Sequence, residues 1–310
     1  MRTTWLKRLG ITLGFGLLTA CGGGGDDHDP NVVEVAQRDP SFSILAEAVV
    51  AADLAGTLSG PGPFTVFAPT DAAFASLLTE LGVTKAQLLG DKALLRSVLQ
   101  YHVLGAKVDK ASVPLGKAIT PLDGGIFKID SVGGNLVITD GRNRTSKITA
   151  TDVMATNGLV HAIDKVLLPA NKTIVETAQA LPDFSILVEA VVAADLATTL
   201  SGTGPFTVFA PTNAAFAKLL TELGVTKAQL LADKALLTQV LTYHVVPGRV
   251  LKADVPVGTP ITTVQGGTFT VDGTLAITDR RGRKAAITAT DVLARNGVIH
   301  VIDTVILPAP

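Results

Sequence analysis

The sequence predicts two tandem copies of one α+β domain, each about 140 residues long. Long segments of the first half recur in the second half at a constant spacing, and the stretch 77–89 returns unchanged as 219–231. Within each copy, helical patterns come first and strand patterns follow, an order typical of α+β folds. A chain of 310 residues also has a suitable length for two domains.

The first element is a predicted signal peptide over residues 1–20. Three basic residues precede an apolar run at 9–18, which is shorter than the roughly 20 residues that cross a bilayer and suits a signal-peptide core. The run ends in Leu18-Thr-Ala-Cys21, which resembles a bacterial lipobox. We therefore expect a lipid on Cys21, the only cysteine, followed by a flexible tether over 21–29. The alternative is an incidental cysteine beside an ordinary signal peptide.

The first domain is predicted over residues 30–169, and its first half is helical. A capping-box pattern at 31–34 marks the start of one helix. Ser41 is expected to cap a second helix. A third helix is predicted from a cap at 70–71 to Leu81, because Gly82 follows as a stop signal.

The second half of the domain is predicted to form strands with turns between them. The Asn157-Gly158 pair indicates a tight hairpin. The second domain, predicted over 170–310, lacks three residues where the first reads 130–135, and a length change in a Gly-rich stretch indicates a hairpin loop. Strand patterns occur at 64–67, 103–108, 126–129, 136–139, 148–153 and 159–168.

Three motifs that occur in order in both copies resemble the signatures of the fasciclin (FAS1) domain family. The resemblance implies a wedge-shaped β-sandwich packed against a group of helices. It also implies extracellular adhesion and protein–protein contact as the usual role. The motifs are FTVFAPTDAAF (64–74) and FTVFAPTNAAF (206–216), Tyr101-His102 and Tyr243-His244, and ATDVMATNGLVHAID (150–164) and ATDVLARNGVIHVID (289–303).

The resemblance also points to candidate partner-binding residues. Some animal members of the family resemble integrin ligands through an Asp-Ile pair just before the Asn-Gly turn. The matching pairs here are Asp152-Val153 and Asp291-Val292, with valine in place of isoleucine in both copies. Each aspartate either bonds backbone amides near its hairpin or contacts a partner, and the sequence leaves both interpretations open.

The histidines have a structural and a binding interpretation. Tyr101-His102 and Tyr243-His244 fall where a helix meets a strand. Hydrogen bonds that fix this junction are the first interpretation, partner binding is the second and catalysis is the third. His161 and His300 alternate with apolar residues along a strand, which predicts half-buried, hydrogen-bonded side chains.

A basic hairpin tip in the second domain is a further candidate surface. A solvated loop is its simplest interpretation, and contact with a polyanion such as a polysaccharide is the functional one. Arg142, Arg144 and Lys147 match it more weakly in the first domain. The residues of the tip are Arg280, Arg281, Arg283 and Lys284.

Several functional classes are disfavoured by the sequence. No HExxH, CxxC, Walker or GxSxG pattern occurs, so we expect no enzymatic activity, no cofactor and no metal site. A net charge of −1 does not favour nucleic acid as a partner.

The leading functional hypothesis is an exported, lipid-anchored adhesion or protein–protein interaction module of the cell envelope. Its expected partner is an extracellular protein or a polysaccharide. Gly22, and not aspartate, follows the lipobox cysteine, which favours an outer-membrane address facing the periplasm or the cell surface. The alternative hypothesis is a glycan-binding or small-ligand-binding surface protein.

Overall fold

A computed structural model describes residues 28–310. The predicted signal peptide, the lipidation site Cys21 and most of the tether lie outside the described residues. Within 28–310, the chain forms two domains in which the elements follow the same order. No helix in this part of the chain is long and apolar enough to span a membrane.

The first domain consists of six helices and seven strands in the described chain. Two short 3-10 turns, at Pro40–Phe42 and Lys110–Ser112, complete it. The helices and strands are α1 (Val32–Arg38), α2 (Ser43–Ala51), α3 (Ala55–Leu58), β1 (Phe64–Pro69), α4 (Asp71–Leu81), α5 (Lys85–Gly90), α6 (Lys92–Tyr101), β2 (Val103–Leu104), β3 (Ala118–Ile119), β4 (Phe127–Val132), β5 (Asn135–Thr139), β6 (Thr145–Ala155) and β7 (Gly158–Ile163).

The second domain repeats this order in the described residues. Its elements are α7 (Ile174–Gln179), α8 (Ser185–Ala193), α9 (Ala197–Ser201), β8 (Phe206–Pro211), α10 (Asn213–Leu223), α11 (Lys227–Ala232), α12 (Lys234–Tyr243), β9 (Val245–Pro247), β10 (Ile261–Thr262), β11 (Thr268–Val271), β12 (Ala276–Thr278), β13 (Lys284–Ala294) and β14 (Gly297–Ile302).

Local capping signals predict several helix starts correctly. Asn31 caps α1 in a complete capping box with Glu34. Thr70 accepts a hydrogen bond from the Ala73 N–H at the start of α4, and the helix ends where Gly82 adopts a left-handed conformation, with φ of 65°. The helix predicted from 70–71 to Leu81 is therefore confirmed.

The prediction that Ser41 caps the second helix is wrong. Ser41 lies inside a 3-10 turn, and α2 begins at Ser43 without a local side-chain cap. The carboxylate of Asp71, at the start of α4, accepts hydrogen bonds from the Ile44 N–H (2.8 Å) and the Ser43 hydroxyl. The cap of α2 therefore comes from a residue distant in sequence.

Each sheet combines one parallel strand pair with antiparallel neighbours. The strand order in the first domain is β2-β1-β7-β6-β5-β4-β3, and only β1 and β7 run parallel. The sequence predicted neither this pairing nor β3. Strand β7 ends at Ile163, earlier than predicted, and β2 is limited to two residues.

The long strand β6 joins two halves of the sheet, which fold over one another. It pairs with β5 over Thr145–Lys147 and with β7 over Ile148–Ala155, with register shifts near Ala150. Phe67 of β1 and Phe127 of β4 meet edge to face, with ring centroids 5.3 Å apart, inside the fold of the sheet. The β-sandwich implied by the family resemblance is therefore present.

Strands β1 and β7 lie between two hydrophobic cores and contribute side chains to each of them. Val66 and Val160 pack with the helices, whereas Phe67 and Ile163 face the strand core. Alternating side chains point to opposite faces of a strand. All six residues of β7 are buried, because helices cover one face and the folded sheet covers the other.

The β6–β7 turn also holds the beginning of the first domain. The Thr156 N–H donates to the Pro30 carbonyl (2.9 Å). The Val32 N–H donates to Oδ1 of Asn157 (3.0 Å), and the Asn157 amide nitrogen donates to the carbonyls of Leu58 and Gly60. The predicted hairpin thus exists, and Asn157 connects it to the α1 and α3 regions.

Candidate partner-binding surfaces

The two Asp-Val pairs lie at equivalent bends, in β6 and in β13. Asp152 and Asp291 both have positive φ values, 61° and 59°. Aspartate is among the few non-glycine residues found in this left-handed region. We call Asp152, Val153 and Met154 the Asp152 corner, and Asp291, Val292 and Leu293 the Asp291 corner.

Both aspartates make the backbone hydrogen bonds that the structural interpretation requires. Oδ1 of Asp152 accepts from the Lys110 N–H (2.9 Å), and Oδ1 of Asp291 accepts from the Lys252 N–H (2.7 Å). The Asp152 N–H donates to Nδ1 of His161 at 3.1 Å. Each carboxylate keeps its second oxygen, Oδ2, for another contact.

In the second domain, that contact is with the first domain. Nζ of Lys128, on β4, lies 2.8 Å from Oδ2 of Asp291 and 3.1 Å from Oδ2 of Asp130. The side chains of Lys128 and Asp291 are only 13% and 2% exposed. Burial opposes the charge of Lys128, but Asp291 and Asp130 outweigh it, and the pKa of Lys128 is raised.

An amide pair and an apolar cluster extend the contact between the domains. The side chain of Asn143 accepts from the Leu293 N–H (2.6 Å) and donates to the Leu293 carbonyl (3.0 Å). Ile126 of the first domain packs with Leu251, Leu293 and Val298 of the second in one buried cluster. The Asp291 corner is therefore a protein contact surface within this chain.

The Asp152 corner is exposed where the Asp291 corner is covered. Val153 is 43% exposed and Met154 61%, whereas Leu293, which corresponds to Met154, is 1% exposed. Asp109 is exposed at the position of the fully buried Leu251. The same local geometry thus meets another domain in one copy and solvent in the other.

Sequence reasoning missed Lys128 and Asn143, which hold the Asp291 corner. The repeat itself contains the signal, because the second domain has Thr270 and Gly282 at the corresponding positions. A polar residue present in only one copy of a duplicated domain indicates a role that the copies do not share. Here that role is the contact between the two domains.

The Tyr-His motifs are buried, and they do not form an accessible surface. Nδ1 of His102 lies 2.7 Å from the Val98 carbonyl, and Nε2 accepts from the Leu167 N–H at 2.8 Å. The Tyr101 hydroxyl donates to the Ile126 carbonyl. Tyr243 and His244 make the equivalent bonds. Contacts inside the fold thus engage the polar atoms of all four residues, which is what the structural interpretation of the motifs requires.

The environment of the two junction histidines favours the neutral ring. Burial, the main cause, lowers the pKa of His102 and of His244 from 6.5 to about 4. Each ring then donates through Nδ1 and accepts through Nε2. These hydrogen bonds join the end of a helix to the segment after the last strand, whereas the structural interpretation placed them at the junction of the helix with the strand that follows it.

His161 and His300 are fully buried, and the prediction of half-burial is wrong. Their exposed fractions are 1% and 0%. The error comes from the unpredicted parallel pairing, which places β7 and β14 in the middle of each sheet with both faces covered. Nε2 of His161 lies 2.9 Å from the Val108 carbonyl.

The basic hairpin tip is partly tied to the protein. A terminal nitrogen of Arg283 donates to Glu222 at 2.9 Å, and Nε of Arg281 donates to the Pro308 carbonyl at 2.9 Å. The buried Asp279 accepts from the N–H groups of Arg281, Arg283 and Leu307. Arg280 and Lys284 remain exposed without an ion pair in the described chain.

Residues 28–310 contain no candidate metal centre. No group of three or more His, Cys, Asp or Glu side chains there could hold a metal ion.

The fold is a tandem pair of α+β domains, each with a folded sheet packed against helices, and the two domains are joined through the Asp291 corner. The chain belongs to the Fasciclin domain family, whose model matches residues 40–169 and 182–308.

Several relatives share one or both domains. The chain is 32% identical over 252 residues to transforming growth factor-beta-induced protein ig-h3 of Sus scrofa, covering 81% of this chain and 35% of that protein. It is 49% identical over 140 residues to protein sll1483 of Synechocystis sp., covering 44% and 73%. It is 41% identical over 114 residues to cell surface glycolipoprotein MPB83 of Mycobacterium bovis, covering 37% and 48%. The chain thus spans about a third of the length of ig-h3.

A solved structure has a similar domain pair. It is the FAS1 domain pair of the insect cell adhesion molecule fasciclin I, with 20% sequence identity and a TM-score of 0.42. The similarity covers 89% of this chain and 95% of that chain.

Proposed function

We propose that this protein is a lipid-anchored, non-enzymatic adhesion module of the cell envelope that contacts a partner protein through the Asp152 corner. The observation that carries the proposal is the difference between its two equivalent corners. The Asp291 corner is buried against the first domain by a lysine, an asparagine and an apolar residue. The Asp152 corner has the same backbone geometry and an exposed apolar surface.

The internal contact also indicates the chemistry of the partner. At the Asp291 corner, Lys128 supplies the cation, Asn143 pairs with the backbone of Leu293, and Ile126 supplies apolar surface. A partner for the Asp152 corner would present a cation to Asp152 and an apolar side chain to Met154. This combination favours an extracellular protein over a neutral polysaccharide.

The corner can be tested by adhesion of cells that display the full chain. Asp152→Asn keeps an acceptor for the Lys110 N–H and tolerance of positive φ while removing the charge. Met154→Lys places a cation where we expect the partner's apolar group. We expect each variant to reduce attachment to the host surface or biofilm several-fold, as measured by retained cells after washing.

Val132→Lys is the matched control, because Val132 is 59% exposed at the β4–β5 hairpin and lies outside both corners. It should attach like the wild type. If cells carrying Asp152→Asn and Met154→Lys together also attach like the wild type, the corner is not the binding surface.

The anchor is a separate part of the proposal. The lipobox pattern before Cys21 supports it, and so does the similarity to MPB83, a cell surface glycolipoprotein. Cys21→Ala should abolish acylation, so the wild type but not this variant should incorporate radiolabelled palmitate in growing cells. Absence of label from the wild type, or equal labelling of the wild type and the variant, would refute lipidation at Cys21 without bearing on the Asp152 corner.

A further inference from the structure

A cleft of about 440 Å³ opens on the second domain beside the segment that precedes β8. Ser201 and Thr203 line one part of it, and Arg249 and Arg295 line another. The volume lies in the range of small-molecule sites. None of the residues of the two Asp corners lines this cleft.

Arg249 is a half-buried cation without a partner in the described chain. Its Nε is buried and makes no hydrogen bond, and no carboxylate of residues 28–310 forms an ion pair with it. Burial lowers its pKa, and no neighbouring charge offsets the effect. Buried polar groups are nearly always hydrogen-bonded, so this donor requires an acceptor.

Other arginines with an unpaired nitrogen differ from Arg249. One terminal nitrogen of Arg144 makes no hydrogen bond but lies 3.5 Å from Oε1 of Glu80, and the other donates to the Val166 carbonyl at 3.0 Å. Arg283 likewise donates to Glu222. Arg249 alone among these three makes no hydrogen bond through its guanidinium in the described part of the chain.

Arg295 adds a second cation to the same cleft. Its backbone N–H donates to the Lys172 carbonyl, while its exposed guanidinium forms no ion pair within residues 28–310. The nearby acid Glu176 is engaged by the N–H and hydroxyl of Thr173. The hydrogen bonds from Thr173 lower the pKa of Glu176 and keep it anionic, and Arg295 contributes to that lowering. Arg249 is therefore the cation of the cleft that the described chain leaves without a neighbouring carboxylate.

The first domain lacks this pair of arginines. Lys107 and Thr156 occupy the positions of Arg249 and Arg295, and Pro61 replaces Thr203. Lys107 is exposed. Since the two domains share one fold, the arginine pair is not needed to build it, and an additional role is the simpler account of its presence.

We propose that this cleft binds an oxyanion, a carboxylate or phosphate group carried on a small polar molecule, through Arg249 and Arg295. Guanidinium groups pair with such anions through parallel hydrogen bonds. The cleft has room beyond the anion itself, and the Ser201 and Thr203 hydroxyls can bond a body the size of a sugar. This site acts independently of the Asp152 corner.

Equilibrium dialysis of the full chain in a sugar-free detergent tests the proposal. The probes are radiolabelled phosphate and radiolabelled glucuronate, with radiolabelled glucose as the neutral control. We expect saturable binding of at least one anion and none of glucose. Phosphate as the tighter ligand assigns the site to the phosphate group, and glucuronate as the tighter ligand assigns it to an acidic sugar.

The variant Arg249→Lys/Arg295→Thr copies the residues of the first domain and should weaken anion binding at least tenfold. Arg280→Ala removes an exposed cation elsewhere in the same domain, and Asp152→Asn alters the corner; both should bind like the wild type. A thermal unfolding midpoint within a few degrees of the wild type shows that the double variant is folded. If the double variant does not fold, the single variant Arg249→Lys is used in its place. No saturable anion binding up to 10 mM, or equal binding by the arginine variants, would overturn the proposal.

Discussion

His102 and His244 are the residues whose chemistry most directly links the fold to pH. Each ring accepts a backbone N–H from the segment after the last strand through Nε2, an atom that must be unprotonated for this purpose. Protonation would replace the acceptor with a donor aimed at another donor. The surrounding core cannot hydrate the resulting charge, which explains the lowered pKa of both rings.

Stability should therefore fall on acidification. An unfolded histidine takes up a proton near pH 6.5 and the folded one only near pH 4, so the contribution is complete above pH 6.5 and is lost as pH falls from 6.5 to 4. We expect a loss of about 2–3 kcal/mol per domain between pH 7.5 and pH 4.5. Urea unfolding at the two pH values measures it.

His102→Gln is the matched variant, since glutamine does not titrate. It should be less stable than the wild type at pH 7.5 and show a flatter pH dependence for the first domain. A His102→Gln protein that keeps the full acid sensitivity would show that other groups cause it.

The starts of helices in this fold are fixed by residues distant in sequence as well as by local capping signals. Helix α2 has no local side-chain cap, and Asp71 supplies one from the start of α4. In the second domain Asn213 does the same, with its Oδ1 accepting from the Ile186 N–H at 2.9 Å. One side chain thus fixes two helix starts relative to each other.

Asp71→Ala should destabilise the first domain by about 1–2 kcal/mol, the usual cost of losing a helix cap. Asp71→Asn is the control that the chain itself provides, because asparagine fills this position in the second domain. It should retain most of the stability in urea unfolding. Equal losses for alanine and asparagine would mean that the cap contributes little.

Many of the helices and strands could be predicted from local sequence. The others depend on pairing between strands that are distant in sequence, for which local sequence has no signal. The capping boxes and the Gly82 stop marked helices correctly. The Asn157-Gly158 pair marked a real hairpin, although the two-residue turn is Thr156-Asn157. Position 158 requires glycine, because a Cβ there would lie 2.1 Å from the Phe64 carbonyl oxygen of the parallel strand.

The candidate binding residues, too, could be predicted only in part from local sequence. The family motifs located the Asp152 and Asp291 corners, but periodicity gave no indication that one would be buried. The Tyr-His pairs proved to be interior residues, because the segment after β7 returns over the end of α6. Burial by a non-local segment has no local sequence pattern.

At the scale of the whole molecule, the two domains are joined by a contact with a buried charge. Removing one partner of a buried ion pair leaves the other desolvated and unpaired, which costs about 3–5 kcal/mol. Lys128→Met should therefore destabilise the protein by about 3 kcal/mol in urea unfolding, because it leaves Asp291 buried.

Asp291→Asn in the same chain should restore much of the loss, since the amide keeps an acceptor for the Lys252 N–H without the charge. Lys117→Met is the control, because Lys117 and Asp254 form an exposed pair across the same boundary at 3.5 Å. Such pairs contribute less than about 1 kcal/mol. Equal effects of the two lysine variants would show that burial of the Asp291 corner is not what couples the domains.

The attachment of Pro30 and Val32 to the β6–β7 turn has a mechanical consequence. Pro30, which directly follows the predicted tether, accepts a hydrogen bond from Thr156, and Thr156 is only two residues beyond Met154. If the proposed lipid anchor holds the chain before Pro30 and the proposed partner binds the Asp152 corner, tension would enter and leave the domain through a single hairpin. The second domain and the helical core would stay outside the line of force, so the pull need not unfold them.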